Sequence, residues 1–359
     1  MKRERKLTIV NYIQTVMLYS MQQLKGERTV YGIYHIVAGK KSAQTIQDGK
    51  IFGLSFLFQS FSYLKKETFS LYVKELTSHQ FIKEVDHQKY MLTSKGEEAL
   101  HQQLREWPLP AKLSGWQFAS STQLFLSRLT LFIQTISNLQ YFQKGFLPIT
   151  QDPETIQWVK AYLFSQSYSR EELAKRLFNE LKCILTKCSS QNADVFVQHL
   201  SGYKRIGLTK SQLAEYYKMN EHYVHLLMIS VVHQIIEQIS ECRSEFPVLQ
   251  QFIQDVHMTV PLTASTVKTY EWLQKGKSLK EVARIRRLKE STIEDHIAEL
   301  ALFLPNFTID DYVKVEDQKE IMNAFEALNT NQLKEIKKRV SDHLTYFQIR
   351  LVLAKCVTN

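Results

Sequence analysis

Three groups of residues in this chain have the types that chemistry requires. In the stretch YHIVAGKKSAQT, Gly39, Lys40, Lys41 and Ser42 set a glycine, two cations and a hydroxyl in a row, the ingredients of a phosphate-binding loop. Such a loop needs two glycines at a fixed separation, so that successive N–H groups converge on one phosphate, and then Lys directly followed by Ser or Thr for the metal. Here Gly32 lies too far upstream and Lys41 intervenes before Ser42. No apolar strand ending in acidic residues follows. The segment reads instead as a helix C-terminus: Gly39 caps the apolar run of Ile33, Ile36 and Val37, and Lys40 and Lys41 lie where cations suit the helix dipole. His222 and His225 share a helix face, but no third ligand or Glu stands at zinc-protease spacing. Cys183 and Cys188, five apart, point to different sides of a helix. With no nucleophile elbow, no carboxylate pair marked by spacing and no Walker pair, the sequence assigns no catalytic residue, no metal and no cofactor. The expectation is a protein that is not an enzyme.

The chain that must position these residues has 359 of them, 44% hydrophobic and 23% charged, an ordinary globular composition with room for two or three domains. Its formal net charge of +10 favours a polyanionic partner, nucleic acid ahead of an acidic membrane surface. The start, MKRERKLTIVNYIQTVMLYSMQQLKGER, has basic residues before an apolar stretch, but Asn11, Gln14, Ser20, Gln22 and Gln23 interrupt the run and no small-residue cleavage site follows. No segment has eighteen uninterrupted apolar residues, so no membrane span is expected. Four cysteines without paired metal spacing fit a reducing, cytoplasmic setting.

Two breaks, EWPLPAKLSGW (Glu106 to Trp116) and HMTVPLTAS (His257 to Ser265, where Pro261 stops the preceding helix), divide the chain into residues 1–105, 106–257 and 258–359. The middle section has helical apolar spacing almost throughout, as at Leu173, Leu177, Leu181 and Ile184. The expected fold is mainly α: an N-terminal winged helix with a small β-hairpin, a central all-α domain and a C-terminal helix-turn-helix domain.

The first section carries the hairpin. KKETFSLYVKELTSHQFI spaces Phe69, Val73 and Leu76 on one helix face, and FIKEVDHQKYMLTSKGEEAL reads as strand, turn at Asp86, His87 and Gln88, strand and closing helix. In such a unit the helix enters a nucleic-acid groove while the wing touches backbone. Lys65, Lys66, Lys74, Lys83, Lys89 and Lys95 supply charge. Residues 28 to 100 resemble the RQC winged-helix domain that follows the motor of RecQ-type helicases, on His35, Ile36, Val37, Gly39, Lys40 and Gly53, although the zinc-binding cysteine cluster that precedes that domain is missing. The resemblance implies that the Gly39 turn faces a nucleic-acid backbone and that the hairpin works as a wedge, with His87 the ring at its tip.

At the other end, TASTVKTYEWLQKGKSLKEVARIRRLKESTIEDHIAELALFL resembles the helicase-type helix-turn-helix domain at Thr269, Leu273, Gly276, Leu279, Val282, Ala283, Leu288, Thr292, Ile293, His296 and Ile297. Ala283 is small because two helices cross closely beside it. Together the two ends resemble the YpbB-like family, accessory partners of the RecQ-like helicase RecS, which implies DNA, forked or single-stranded, and a RecS-type helicase as partners.

The same pattern occurs twice. TKSQLAEYYKMNEHYVHLLMI (Thr209 to Ile229) aligns without a gap on SLKEVARIRRLKESTIEDHIA (Ser278 to Ala298), matching Ala214 to Ala283, Met219 to Leu288 and Val224 to Ile293. The second helix of the central copy, with Val231, Val232, Ile235 and Ile236, is too apolar to read DNA and is expected to be buried. The second helix of the C-terminal copy carries Glu290, Glu294, Asp295 and Glu299, which would repel phosphates. Its cations, Lys275, Lys277, Lys280, Arg284, Arg286, Arg287 and Lys289, sit on the first helix and its flanks, which suits backbone contact or an acidic partner. The expected DNA-binding residues are therefore Lys40, Lys41, Lys65, Lys66, Lys74, Lys83, His87 and Lys89, with Lys277, Lys280, Arg284, Arg286 and Arg287. Two functions fit them: a helicase accessory that brings DNA-binding modules to a motor for repair or fork processing, and a free-standing transcriptional regulator.

Overall fold

The computed structural model of the chain describes residues 10–143, 145–255, 262–328 and 330–356. Pro261 and most of the second sequence break lie outside them. The described residues are mainly helical, with one two-stranded antiparallel sheet.

The first helix, α1 (Tyr12–Leu24), buries Tyr12, Ile13, Val16, Met17, Leu18, Met21 and Leu24 on every side, so the apolar start of the chain is core. Next come α2 (Val30–Ala38), α3 (Ala43–Ile51) and α4 (Lys66–Ser78). Gly39 ends α2 in the left-handed region, φ 81°. A Cβ there would also lie 2.7 Å from Gln59 Cγ, so conformation and space both demand glycine. Ser42 then N-caps α3 by accepting from the Thr45 N–H. The GKKS segment is thus a cap-to-cap turn, as its composition indicates. In α4, Phe69, Val73 and Leu76 form the buried stripe expected of them.

The hairpin pairs β1 (Ile82–Asp86) with β2 (Lys89–Leu92): Ile82 opposes Leu92, Lys83 opposes Met91, Glu84 opposes Tyr90 and Asp86 opposes Lys89. A register irregularity between Glu84 and Asp86 lets β1 run on to Asp86. The turn is therefore only His87 and Gln88, with Gln88 at φ 56°, one residue shorter than the sequence suggests.

After the hairpin come α5 (Ser94–Glu106), α6 (Gly115–Phe118), α7 (Thr122–Gln140), α8 (Pro153–Ser165), α9 (Arg170–Leu185), α10 (Ser190–His199) and α11 (Lys210–Tyr217). They are joined by the 21-residue α12 (Glu221–Glu241) and the short α13 (Pro247–Gln250). Phe125, Phe132, Leu177, Ile184, Ile235 and Phe252 anchor one continuous core. As its composition requires, α12 buries Val231, Val232, Ile235 and Ile236. The C-terminal helices are α14 (Ala264–Gln274), α15 (Leu279–Arg286), α16 (Glu290–Phe303), α17 (Val315–Leu328), α18 (Leu333–Lys337) and α19 (Tyr346–Cys356).

By contacts the chain forms two compact units, one of Met1–Met17 with Lys95–Met258 and one of Leu18–Ser94 with Thr259–Asn359. The second unit draws on both ends of the sequence. Within it α16 packs on α3 as well as on α14, α15 and α19. Glu27 accepts from the Thr330 hydroxyl (2.8 Å) and the Asn331 N–H (3.0 Å) across some 300 residues of chain.

The two helix-turn-helix copies agree atom for atom in their signals. Thr209 and Ser278 each cap the first helix in a reciprocal box with Gln212 and Glu281. Lys218 (φ 54°) and Arg287 (φ 53°) end that helix in the left-handed region, and the N–H of Met219 or Leu288 returns to the carbonyl of Ala214 or Ala283. Leu213, Ala214 and Val224 are buried in one copy, and Val282, Ala283 and Ile293 in the other. Short-range capping chemistry therefore builds the same turn twice.

Candidate nucleic-acid interface

Around the Gly39 turn, Lys40, Lys41, Lys65 and Lys66 are exposed, and none forms an ion pair among the described residues. Lys65 is the N-cap residue of α4 and Lys66 its first residue. Lys66 Nζ lies 4.8 Å from the Tyr31 ring centroid. Burial lowers the pKa of His35, and the charges of Lys40 and Lys66 lower it further, so the turn and the start of α4 bring their cations to one place. Lys74 is exposed further along α4 and Lys83 is exposed on β1.

The hairpin tip behaves differently. Lys89 Nζ sits 2.8 Å from Asp86 Oδ2, and that hydrogen bond is the chief cause of the lowered Asp86 pKa. Its charge is therefore already matched. His87 is exposed, but the next residue, Gln88, accepts the Val30 N–H through its carbonyl at 2.8 Å, which fastens the tip to the first turn of α2. The cluster of Lys40, Lys41, Lys65 and Lys66 thus offers more uncompensated charge than the tip.

In the C-terminal copy, Lys280, Arg284 and Arg287 are exposed along α15 and at its end. Lys277 is exposed too, 3.4 Å from Glu281. Arg286 alone turns inward. It donates to the Ser265 carbonyl at 2.7 Å and Ser265 Oγ at 3.1 Å, and it also bonds Thr269 Oγ1, pinning α14 to α15. Thr269 Oγ1 in turn meets His296 Nδ1 at 2.8 Å.

Two of the four acidic residues of α16 that the sequence sets against phosphates, Glu299 and Asp295, are engaged within the fold. Glu299 is 1% exposed and accepts from the Thr263 N–H and the Thr263 and Thr266 hydroxyls, completing the N-terminus of α14. Burial raises its pKa. Asp295 pairs with Arg350 at 2.6 Å. Residues Ile293 and His296 through Leu302 are buried. Burial thus withdraws the C-terminal half of α16, while Glu290, exposed, and Glu294, half-buried, leave its first turns acidic.

Among the described residues no group of three or more metal-binding side chains exists. His225 Nδ1 contacts Lys210 Nζ at 2.8 Å, and the His222 backbone N–H donates to Asn220 Oδ1, the N-cap of α12. No helix among the described residues is long and apolar enough to cross a membrane. One further cluster, which no spacing in the sequence marks, lies on the first unit: Tyr141, Phe142, Tyr203, Lys204 and Arg205, whose sole signal is aromatic beside basic residues.

Residues 265–353 match a helix-turn-helix domain family, spanning α14 to α19, and such a domain suggests DNA binding. No solved structure matches the chain. Protein YpbB of Bacillus subtilis (strain 168) is 35% identical over 349 residues, which cover 97% of this chain and 98% of that protein. At that identity over nearly the whole of both proteins, the chain belongs to the YpbB family.

Proposed function

We propose that the chain is a non-enzymatic DNA-binding accessory subunit of a RecQ-like helicase of the RecS type, active in DNA repair or replication-fork processing. The observation that carries this reading is the acidic character of the accessible start of α16. The first turns of the helix that reads bases in an operator-binding protein carry Glu290, Glu294 and Asp295 here, which repel phosphates, and the rest of it, His296 through Leu302, is core. The exposed cations stand on α15 and its turn, where they meet phosphates without regard to sequence. The unit that holds α2, α3, α4 and the hairpin, winged-helix-like in order, adds a second cationic face of the same kind. Backbone contact without base readout suits a module that serves a motor moving over any sequence.

The protein alone is expected to bind forked DNA without sequence preference, to hydrolyse no ATP and to raise the unwinding rate of a RecQ-like helicase on a fork. A pull-down from cell extract that recovers a superfamily 2 helicase supports the reading. A defined promoter footprint obtained without one would instead establish the transcriptional regulator, and ATP turnover by the purified protein would sink the accessory role.

A further inference from the structure

The first unit carries a patch of exposed aromatic rings beside exposed cations. Helix α7 ends at Gln140, and Phe142 follows in the left-handed region at φ 56°, where glycine or asparagine is the usual residue. A bulky aromatic residue is strained there. The residue is 87% exposed, so packing of the ring does not explain its presence. The conformation closes α7, with the Phe142 N–H on the Leu139 carbonyl and the Gln143 N–H on the Asn138 carbonyl, but that cap calls for glycine and not for an exposed ring.

A second segment comes up beside it. Gly202 and Arg205 exchange backbone hydrogen bonds (2.9 and 3.1 Å) around a tight turn whose tip is Tyr203 and Lys204, the latter at φ 54°. The turn is fastened to α7 by the Tyr203 N–H, which donates to Ser137 Oγ at 2.9 Å. That approach needs Gly202, since a Cβ there would lie 3.0 Å from the same oxygen. The result is a stack of Tyr141 on Tyr203, with centroids 4.2 Å apart and planes 12° apart, and with Tyr141 exposed at 61%. Lys204 Nζ lies 5.3 Å from the Tyr203 ring. Arg205 is oriented by the neutral Gln198 amide at 2.9 Å, which leaves its charge unmatched. Neither cation forms an ion pair among the described residues.

We propose that Tyr141, Phe142, Tyr203, Lys204 and Arg205 form a contact site for single-stranded nucleic acid, with bases stacking on the exposed rings and phosphates meeting the two cations. The proposal rests on the DNA-binding reading above and adds a second contact, on the other unit. Flat rings held in solvent fit unpaired bases, each of which presents a π-face whatever its identity. Paired bases keep those faces inside the duplex, so the site selects single strands. The unmatched charge of Lys204 and Arg205, in a chain of net charge +10, favours a polyanion over an apolar protein surface.

The test uses the full chain and fluorescence anisotropy with three labelled probes: an oligothymidine, an abasic strand of equal length and a duplex. Phe142→Gly removes the ring and relieves the backbone, so the fold is kept. It is expected to weaken oligothymidine binding by roughly 5- to 150-fold, the loss of one stacked base, while abasic-strand and duplex binding stay unchanged. Lys204→Ala with Arg205→Ala should weaken both single strands and reduce the salt slope by about 1.4. If the wild-type chain binds oligothymidine and Phe142→Gly binds it equally well, the site is refuted, the DNA-binding reading stands and the rings serve a protein partner. If the wild-type chain binds none of the probes, the DNA-binding reading fails and takes this site with it.

Discussion

Replacing Lys40, Lys41, Lys65 and Lys66 together with Ala tests the interface at its most exposed point. All four are exposed, none is held by a carboxylate, and Lys40 and Lys66 act on the same imidazole. Each phosphate contact contributes roughly 0.7 to 0.9 to the slope of log affinity against log salt, so losing four should flatten the slope by about 3. For a fourfold rise in salt, wild-type affinity should then fall about 50- to 150-fold more steeply than that of the variant. Anisotropy titrations on a forked duplex at several salt concentrations give both slopes. Lys89→Ala is the control: its ammonium already rests on Asp86, so its removal should leave the slope unchanged. Removing Lys40 and Lys66 should also raise the His35 pKa, readable by NMR, because two of the three causes that lower it disappear. Equal slopes for wild type and variant would refute the interface, and equal flattening by Lys89→Ala would show that net charge, not placement, governs binding.

Three further expectations concern the scaffold. Arg286→Ala should destabilise the second unit by about 2–3 kcal/mol in chemical denaturation, since it strips donors from the Ser265 carbonyl and Thr269, while the folded protein keeps its DNA affinity; lost affinity at unchanged stability would place Arg286 in the interface instead. His233 accepts the Ser114 N–H through Nδ1 and contacts the Thr122 hydroxyl through Nε2, and burial lowers its pKa to about 4. Only the unfolded chain takes up that proton between pH 6.5 and 4, so stability should be full above pH 6.5, fall through that window by about 3 kcal/mol and lose nothing more to this residue below it; a His233→Gln variant with the same fall over that window would assign the loss elsewhere. Gly39→Ala should lower the Tm, because φ 81° and the 2.7 Å approach of Gln59 oppose a side chain, whereas Gly32→Ala, within α2 and facing open space, should stabilise by about 0.5–1 kcal/mol; destabilisation by Gly32→Ala would contradict the helix around it.

Much of the local structure can be read in the sequence, because its causes lie within a few residues. A capping serine or threonine with its Gln or Glu three positions on, a small residue at the helix crossing and an apolar residue every turn define both helix-turn-helix copies. They also explain why an ungapped alignment finds the repeat. Gly39 needs only its own φ and its neighbours' carbonyls to end α2, which is why a phosphate loop could be refused. The Phe69, Val73 and Leu76 stripe fixes the inner face of α4 by periodicity alone.

What a charged side chain meets across space has no such local cause. Glu299 carries the charge of a surface residue, yet hydroxyls and an N–H more than thirty positions earlier make it a buried cap. Arg286 has the same composition around it as Arg284 and Arg287, but only the packing of α14 shows which of the three turns inward. Pairing of α3 with α16, and of Glu27 with Thr330, depends on contacts between the two ends of the chain. Tyr141 and Tyr203 come together only because α7 holds Ser137 where the Gly202 turn can reach it. The sequence by itself determined the helices, their caps and the repeated turn, since hydrogen bonds and apolar periodicity act over a few residues. Tertiary structure alone decided which charges face solvent, because burial is a property of partners that the chain brings from far away.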